Sequence, residues 1–184
     1  MEEKIVFEGK TKKEINIIIR YPNSSDAASM TEYINILSDE RTFITYQGEK
    51  ESLENETKYL NSKLKEIKNK KAVLLLVLAD KKLIGISGID MRTKTQRHIG
   101  LLGISIAKEF RGEGIGKLLL ETVINEATNN LSTLEIILLG VYSKNTLALN
   151  MYKQFGFIEE GRLPNGVKLK NGYDDQIYMY KNVK

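Results

Sequence analysis

Cysteine and tryptophan are absent from the 184 residues, and histidine occurs once, at His98. Without cysteine the chain can form no disulfide, no thiolate nucleophile and no cysteine-ligated metal centre, and one histidine leaves little material for a zinc site. We therefore expect no metal. Any chemistry should depend on other side chains and on backbone groups.

Long apolar runs are also missing. No window holds the ~18 to 20 consecutive apolar residues of a membrane-spanning helix, and residues 1–4 lack the basic-then-apolar order of a signal peptide. We therefore expect a cytoplasmic protein with no membrane partner. With 41% hydrophobic and 28% charged residues, the composition is that of a globular protein, and the length predicts one domain over residues 1–184.

The excess of positive charge is small. Lys and Arg number 28 against 24 Asp and Glu, a net charge of +4, and the charges are spread along the chain. A nucleic-acid-binding module would concentrate basic residues on one element, whereas the most polar predicted helix mixes acids with its lysines. We therefore consider a nucleic-acid partner the least favoured of the alternatives.

Hydrophobic periodicity predicts strands alternating irregularly with helices. Strands are expected near residues 14–20, 72–79, 83–91, 98–107, 134–141, 157–160 and 176–180, and helices near 26–37, 52–69, 115–127 and 145–154. The last two strands are expected to be separated by a loop. Hairpins combined with a strand-helix-strand unit indicate a mixed α/β sheet with helices on its faces.

A glycine-rich turn follows the strand that ends near residue 107. It reads Arg111-Gly112-Glu113-Gly114-Ile115-Gly116-Lys117 and opens an amphipathic helix. A helix start leaves about four amide N–H groups without intrahelical partners and carries roughly half a positive charge, which favours an anion. The glycines give a ligand access to this backbone, although they would also suit a tight connection with no ligand.

Two familiar phosphate motifs do not fit this turn. A P-loop needs glycine where Arg111 stands and Ser or Thr where Leu118 stands, and a dinucleotide fingerprint needs glycine at Lys117 or a small residue at Leu119. What fits is the pattern Arg/Gln-x-x-Gly-x-Gly/Ala. Through it the sequence resembles the GNAT superfamily of N-acetyltransferases. Residues 145–157, with an Asn opening a helix and a Tyr before Gly-Phe, resemble the motif that follows in that superfamily.

The resemblance implies a fold and a cofactor site. The implied fold is a mostly antiparallel mixed sheet in which one strand pair splays apart, with the cofactor-binding core at about residues 98–157. The cofactor is acetyl-CoA, the acetyl donor. Its pantetheine arm would lie along the splayed strand and its pyrophosphate on the glycine turn. The residues implied are Ile104, Ser105, Ile106, Arg111, Gly112, Glu113, Gly114, Ile115, Gly116, Lys117, Asn145 and Tyr152.

Two of these residues have a second interpretation. Tyr152 matches the tyrosine that serves many superfamily members as general acid at the sulfur, and it is also placed for core packing beside Phe155 and Phe157. Asn145 matches a position that contacts the pantetheine, and it also suits a helix cap. A backbone amide near Ile106 would face the thioester oxygen.

The usual general base is missing. Many members of the superfamily read His-x-x-Glu-Leu-Gly before the glycine turn, and the matching stretch here places Leu101 where the carboxylate would be. Three routes for proton removal remain: water and a backbone carbonyl, a carboxylate elsewhere, or His98. The position of His98 is better explained as that of a polar residue at a strand entrance. Asp174 and Asp175 would attract a cationic amine, or would simply be solvated turn residues.

Acetyl transfer to a primary amine by direct attack in a ternary complex is therefore the predicted function. A protein N-terminus, a lysine and a small amine all remain open as acceptors. The alternative is a non-catalytic acyl-CoA-binding or regulatory module on the same fold. The resemblance also leaves a homodimer open.

Overall fold

An eight-stranded sheet organises the part of the chain that this computed structural model describes, residues 4–11 and 13–184. The elements in chain order are β1 Ile5–Lys10, β2 Asn16–Arg20, α1 Ala27–Glu40, α2 Leu53–Lys68, β3 Ala72–Ala79, β4 Lys82–Met91, β5 Ile99–Ile106, α3 Ile115–Asn130, β6 Ile136–Tyr142, α4 Thr146–Gln154, β7 Ile158–Leu169 and β8 Gly172–Asn182. Within the described ranges no helix is long and apolar enough to cross a membrane.

The strand order is β1-β2-β3-β4-β5-β6-β8-β7, and neighbouring strands are antiparallel except for β5 and β6. Helices α3 and α4 cover one face, where Leu119, Val123 and Tyr152 join the larger apolar cluster. Helices α1 and α2 cover the opposite face of β3 and β4. The predicted class, a mixed and mostly antiparallel sheet with flanking helices, is confirmed.

The predicted splay between β5 and β6 is also confirmed. Their parallel pairing covers three residue pairs, from Ile99 with Ile136 to Leu101 with Leu138, and then stops. The amide of Ala107 donates to the Ile84 carbonyl at 2.8 Å, so odd-numbered residues of β5 direct their backbone groups to β4. The even-numbered residues beyond the pairing therefore direct theirs into the opening.

The C-terminal hairpin corrects a prediction. A loop was expected between short strands, but β7 and β8 continue toward each other as far as Leu169 and Gly172. Pro164 suggested a loop because proline cannot donate to a ladder. It is tolerated because β7 is an edge strand and the register shifts between Leu163 and Val167. Strand β1 was not predicted at all.

A buried ion pair fixes the start of α1 against β2. The Arg20 guanidinium donates to both carboxylate oxygens of Asp26 at 2.7 and 2.8 Å, and both residues are buried. Burial would raise the pKa of Asp26, but the hydrogen bonds from Arg20 and from the Asn23 amide hold it below its ordinary value. The stabilisation is therefore present at neutral pH and is lost as the pH falls through that lowered pKa.

We expect Asp26→Asn to lower the free energy of unfolding by about 3 kcal/mol, because it removes the negative charge from a buried ion pair joined by two hydrogen bonds. Asp39→Asn is the matched control, since Asp39 forms an exposed ion pair with Lys50 and should contribute less than ~1 kcal/mol. Urea unfolding of both variants at pH 7 measures the difference. Equal losses would contradict the assignment.

Candidate active site

A cavity of about 480 Å³ opens where β5 and β6 diverge. Its walls come from β5, the glycine-rich turn, the start of α3, β6, α4 and the segment between α1 and α2. Eight of the predicted site residues line it together: Ile104, Ser105, Ile106, Arg111, Gly112, Gly116, Asn145 and Tyr152. The two motifs are thus joined at one opening although about 30 residues separate them.

The other four predicted residues do not line the cavity. The Ile115 side chain is buried in the core beneath α3, and the Glu113 carboxylate forms an ion pair with Lys13. Lys117 and Gly114 are exposed. These four belong to the turn through their backbone, so any contact they make with an anion would come from amide groups.

The turn has the backbone geometry of an open anion cradle. Gly112 and Gly114 have φ of +82° and +84°, values that favour glycine, and a Cβ built on either would meet no atom within 4 Å. The first intrahelical hydrogen bond in this stretch runs from the Leu118 amide to the Gly114 carbonyl at 3.1 Å. The amides just before Leu118 therefore lack intrahelical acceptors at the positive end of α3.

Arg111 ties the turn to two other elements. Its Nε donates to the Ile106 carbonyl at 2.8 Å, and its terminal nitrogen donates to Glu40 Oε2 at 2.6 Å. The other oxygen, Glu40 Oε1, is buried without a hydrogen-bond partner among the described residues. Sequence analysis missed Glu40, because it ends α1 some 70 residues earlier and no local pattern marks it.

Tyr152 combines both roles considered for it. Its ring packs edge-on against Phe157 with a centroid distance of 5.7 Å, and the residue is only 6% exposed. It also lines the cavity, and within the described ranges its hydroxyl has no hydrogen-bond partner. Burial raises the pKa of Tyr152 to about 12, so the phenol is neutral at physiological pH.

Asn145 likewise serves as a cap and as a wall. Its side-chain oxygen accepts from the Ala148 amide at 3.2 Å at the start of α4, and the residue lines the cavity.

Two aromatic residues also line the cavity, and the rings of Phe43 and Tyr142 meet edge-on with their centroids 6.4 Å apart. Neither aromatic residue was singled out from the sequence, since their contact joins segments about 100 residues apart.

The two aspartates considered for amine attraction are engaged internally. Asp174 is buried and accepts from Ser143 Oγ at 2.6 Å, while Asp175 pairs with Arg162 Nε at 2.8 Å. Burial would raise the pKa of Asp174, but hydrogen bonds from Ser143 and from nearby backbone amides keep it below its ordinary value. Both carboxylates therefore stabilise turns in this structure.

His98, the side chain named as a possible general base, and Leu101, which replaces the usual carboxylate, both lie outside the cavity. His98 stands just before β5, at the paired end, and its carbonyl accepts from the Glu135 amide at 2.9 Å. Leu101 is exposed on the face of the sheet opposite α3. Neither residue lines the cavity.

The sequence matches the model of the Acetyltransferase (GNAT) family over residues 31–157, more than half of the chain. The chain belongs to the GNAT acetyltransferase family. This match includes most of α1, from residue 31 onward, the glycine-rich turn and the second motif. It ends just before β7, so the C-terminal hairpin lies outside the matched range.

Curated relatives match part of this GNAT protein. It is 31% identical over 109 residues to an L-amino acid N-acetyltransferase of Escherichia coli, covering 57% of this chain and 65% of that one. It is 43% identical over 54 residues to an uncharacterized N-acetyltransferase of Dictyostelium discoideum, covering 29% and 24%. The chain thus spans less than two thirds of either relative's length.

Solved GNAT structures match nearly the whole chain. An acetyltransferase of the GNAT family from Streptococcus pneumoniae is 29% identical, with a TM-score of 0.83 and coverage of 91% of this chain and 99% of that one. A putative acetyltransferase from Salmonella typhimurium, solved with its cofactor acetyl-CoA, is 18% identical with a TM-score of 0.79, covering 92% and 95%. The second likeness concerns the fold alone.

Proposed function

We propose that this protein is an acetyl-CoA-dependent N-acetyltransferase of the cytoplasm that acts as one domain and transfers acetyl to a primary amine. The observation that carries the proposal is the joining of the open strand edge, the glycine turn and Tyr152 in one cavity. Gly112 and Gly114 fit a pyrophosphate, because a side chain at either would project into the space that the anion would take. The backbone groups of Leu102 and Ile104 fit the amides of a pantetheine arm.

Acetyl-CoA supplies the activated acyl group, and the residues of this chain would orient it. An amide of β5 facing the opening would donate to the thioester oxygen, a contact comparable to oxyanion-hole donors that contribute about 3 kcal/mol. On β6 the Ser143 amide donates to the Asp175 carbonyl at 2.9 Å, so alternation directs the Gly140 carbonyl into the opening. That carbonyl would accept a hydrogen bond from the amine, directly or through water.

Tyr152 would donate a hydrogen bond to the sulfur as negative charge develops there. With a pKa of about 12, it would hold its proton against a thiolate of ordinary pKa, ~8.5. We therefore propose that Tyr152 stabilises the leaving thiolate through a retained hydrogen bond. The C–N bond forms as the C–S bond breaks, and the proton that the amine loses passes through water to solvent or to the released thiolate. Direct attack in a ternary complex fits a cavity without cysteine.

A non-catalytic acyl-CoA-binding module is the second candidate. It is favoured by one observation, the absence of a carboxylate at Leu101. Tyr152 in the cavity favours the enzyme. Turnover distinguishes the two, since both should bind the cofactor.

Calorimetric titration with acetyl-CoA and with acetylpantetheine, which lacks the pyrophosphate, tests the cofactor site at two salt concentrations. We expect micromolar binding of acetyl-CoA that weakens with salt, and binding at least about 100-fold weaker without the pyrophosphate, because several charge-assisted hydrogen bonds are lost. Equal affinities would contradict the proposed cradle. Transfer of acetyl to amines, including the α-amines suggested by the relative's name, then tests catalysis.

A further inference from the structure

The Arg111 side chain occupies the last carbonyl on the open edge of β5. Even-numbered residues of β5 beyond its pairing with β6 direct their backbone groups into the opening, and Ile106 is the last of them. Arg111 Nε donates to the Ile106 carbonyl at 2.8 Å. A ligand that pairs with this edge is therefore left with the backbone groups that precede that carbonyl.

The same hydrogen bond fixes the glycine turn relative to the strand. It joins residues five positions apart and closes the chain around the short 3-10 turn Lys108–Phe110. The glycines at 112, 114 and 116 follow Arg111 directly. Because a single cofactor molecule would contact both the strand edge and the turn, the spacing between these two parts of the site affects how well it binds.

Glu40 holds the other end of the Arg111 side chain. Its Oε2 accepts from the terminal guanidinium nitrogen at 2.6 Å, and the Glu40 side chain is only 10% exposed. Its Oε1 is buried and has no hydrogen-bond partner among the residues that the structure describes. A buried oxygen without a partner reduces the stability that the pair contributes. The main effect of Glu40 is therefore on the orientation of the guanidinium.

Helix α1 presents Glu40 from a fixed position. Tyr33 lies two helical turns before Glu40, so the two side chains share a face of the helix. The Tyr33 hydroxyl forms a 3.0 Å hydrogen bond with Ser105 Oγ on β5, and Tyr33 is buried. Leu37, between them, is also buried and lines the cavity. The helix is thus attached to β5 on both sides of the residue that contacts the cavity.

The charge of Glu40 allows orientation to be distinguished from attraction. At 2.6 Å the carboxylate offsets much of the positive charge that Arg111 would otherwise present to an anion. If Arg111 served the pyrophosphate by its charge, loss of the Glu40 charge would strengthen cofactor binding. If Arg111 serves by its position, the same change would weaken binding, because the guanidinium loses the acceptor that orients it.

We propose that Glu40 is a positioning residue for the cofactor. It holds Arg111 on the Ile106 carbonyl and thereby sets the spacing between the strand edge and the glycine turn. Glu40 itself is not among the residues that line the cavity, so it acts through Arg111. This role rests on the proposed function, and it links α1 to the binding of the acetyl donor.

Calorimetric titration of Glu40→Gln with acetyl-CoA and with acetylpantetheine tests this role. We expect acetyl-CoA to bind about 10-fold more weakly, because the turn is less well positioned for the pyrophosphate. Acetylpantetheine lacks the pyrophosphate and should bind within about 2-fold of its wild-type affinity. A general loss of structure would weaken both ligands together. Glu40→Asp keeps the charge but withdraws it by one methylene, and it should change the two affinities in the same directions.

Glu109→Gln is the matched control. It removes the same charge from the 3-10 turn just before Arg111, where Glu109 is exposed and lies 3.6 Å from Lys82. It should leave acetyl-CoA affinity within about 2-fold of the wild type, because exposed charges are screened. Thermal unfolding of each variant reports whether the fold persists.

Two double variants separate the hydrogen bond to Ile106 from the charge. Both carry Glu40→Gln, so no carboxylate is left without its partner. Arg111→Gln places an amide nitrogen as many bonds from Cα as Arg111 Nε and keeps that donor without the charge, whereas Arg111→Lys keeps the charge without a donor at that position. We expect the Arg111→Gln protein to bind acetyl-CoA about 5-fold more tightly, the effect of one hydrogen bond.

Tighter or unchanged acetyl-CoA binding in Glu40→Gln, or the reverse order of the two double variants, would overturn this role and leave the proposed function intact. Equal weakening of acetyl-CoA and acetylpantetheine would also overturn it, because Glu40 would then act on the fold as a whole. If the wild-type protein binds acetyl-CoA no more tightly than acetylpantetheine, the pyrophosphate cradle and the role of Glu40 are both refuted.

Discussion

Gly116→Val should weaken acetyl-CoA binding by about 100-fold while leaving the fold intact. Gly116 lies in the first turn of α3, and a Cβ there would lie 3.7 Å from Met151 Sδ and 3.9 Å from Ile106 Cγ1. The two further methyl groups of valine would enter the cavity where α3 and α4 approach the end of β5. Two lost charge-assisted hydrogen bonds, about 1.5 kcal/mol each, correspond to this factor.

Gly116 is a cleaner probe than Gly114, because its φ is not positive and valine adds no backbone strain there. Asn125→Val is the matched control, since it places the same β-branched residue on an exposed position of α3 far from the turn. Calorimetric titration gives the affinity, and thermal unfolding gives the stability. Retained affinity in Gly116→Val would refute the cradle.

Tyr152→Phe should reduce kcat by about 100-fold, the lower range for losing one hydrogen-bond donor to a developing negative charge, and change acetyl-CoA affinity by less than about 3-fold. The ring and its contact with Phe157 are kept, so packing is preserved and only the hydroxyl is lost. Because burial raises the pKa of Tyr152 to about 12, its ionisation should not appear in the wild-type rate profile between pH 6 and 10.

Single-turnover measurements with pre-bound acetyl-CoA separate the chemical step from binding and product release. Phe157→Leu is the matched control, since it alters the packing around the ring and keeps the hydroxyl. If Tyr152→Phe and Phe157→Leu slow the reaction equally, Tyr152 has a packing role alone.

Much of the fold was predictable because it depends on local patterns. The hairpin of β3 and β4 is two apolar runs around a polar turn, and α3 is an amphipathic repeat that begins at glycines. The length of β7 was not predictable. Pro164 and Asn165 are typical of a loop, and only the edge position of the strand makes the proline acceptable.

In the candidate active site, too, residues in contiguous motifs were predictable and residues placed by contacts across the fold were not. The turn from Arg111 to Gly116 and the second motif are each contiguous in sequence, so the sequence alone predicts their residues. Glu40 and Phe43 were missed because their roles arise from contacts with Arg111 and Tyr142 across the fold.

The short junction between β5 and β6 has a mechanical consequence. Three residue pairs form the backbone pairing between β5 and β6, and the rest of the link between β5 and the β6–β8 unit is side-chain packing in the larger apolar cluster. A pantetheine arm bound between β5 and β6 would hold the two diverging strands together. In the free protein we therefore expect partial unfolding between β5 and β6, seen as fast hydrogen exchange of the Leu102, Ile104 and Ile106 amides. Once acetyl-CoA is bound, we expect this exchange to slow and unfolding to become more cooperative.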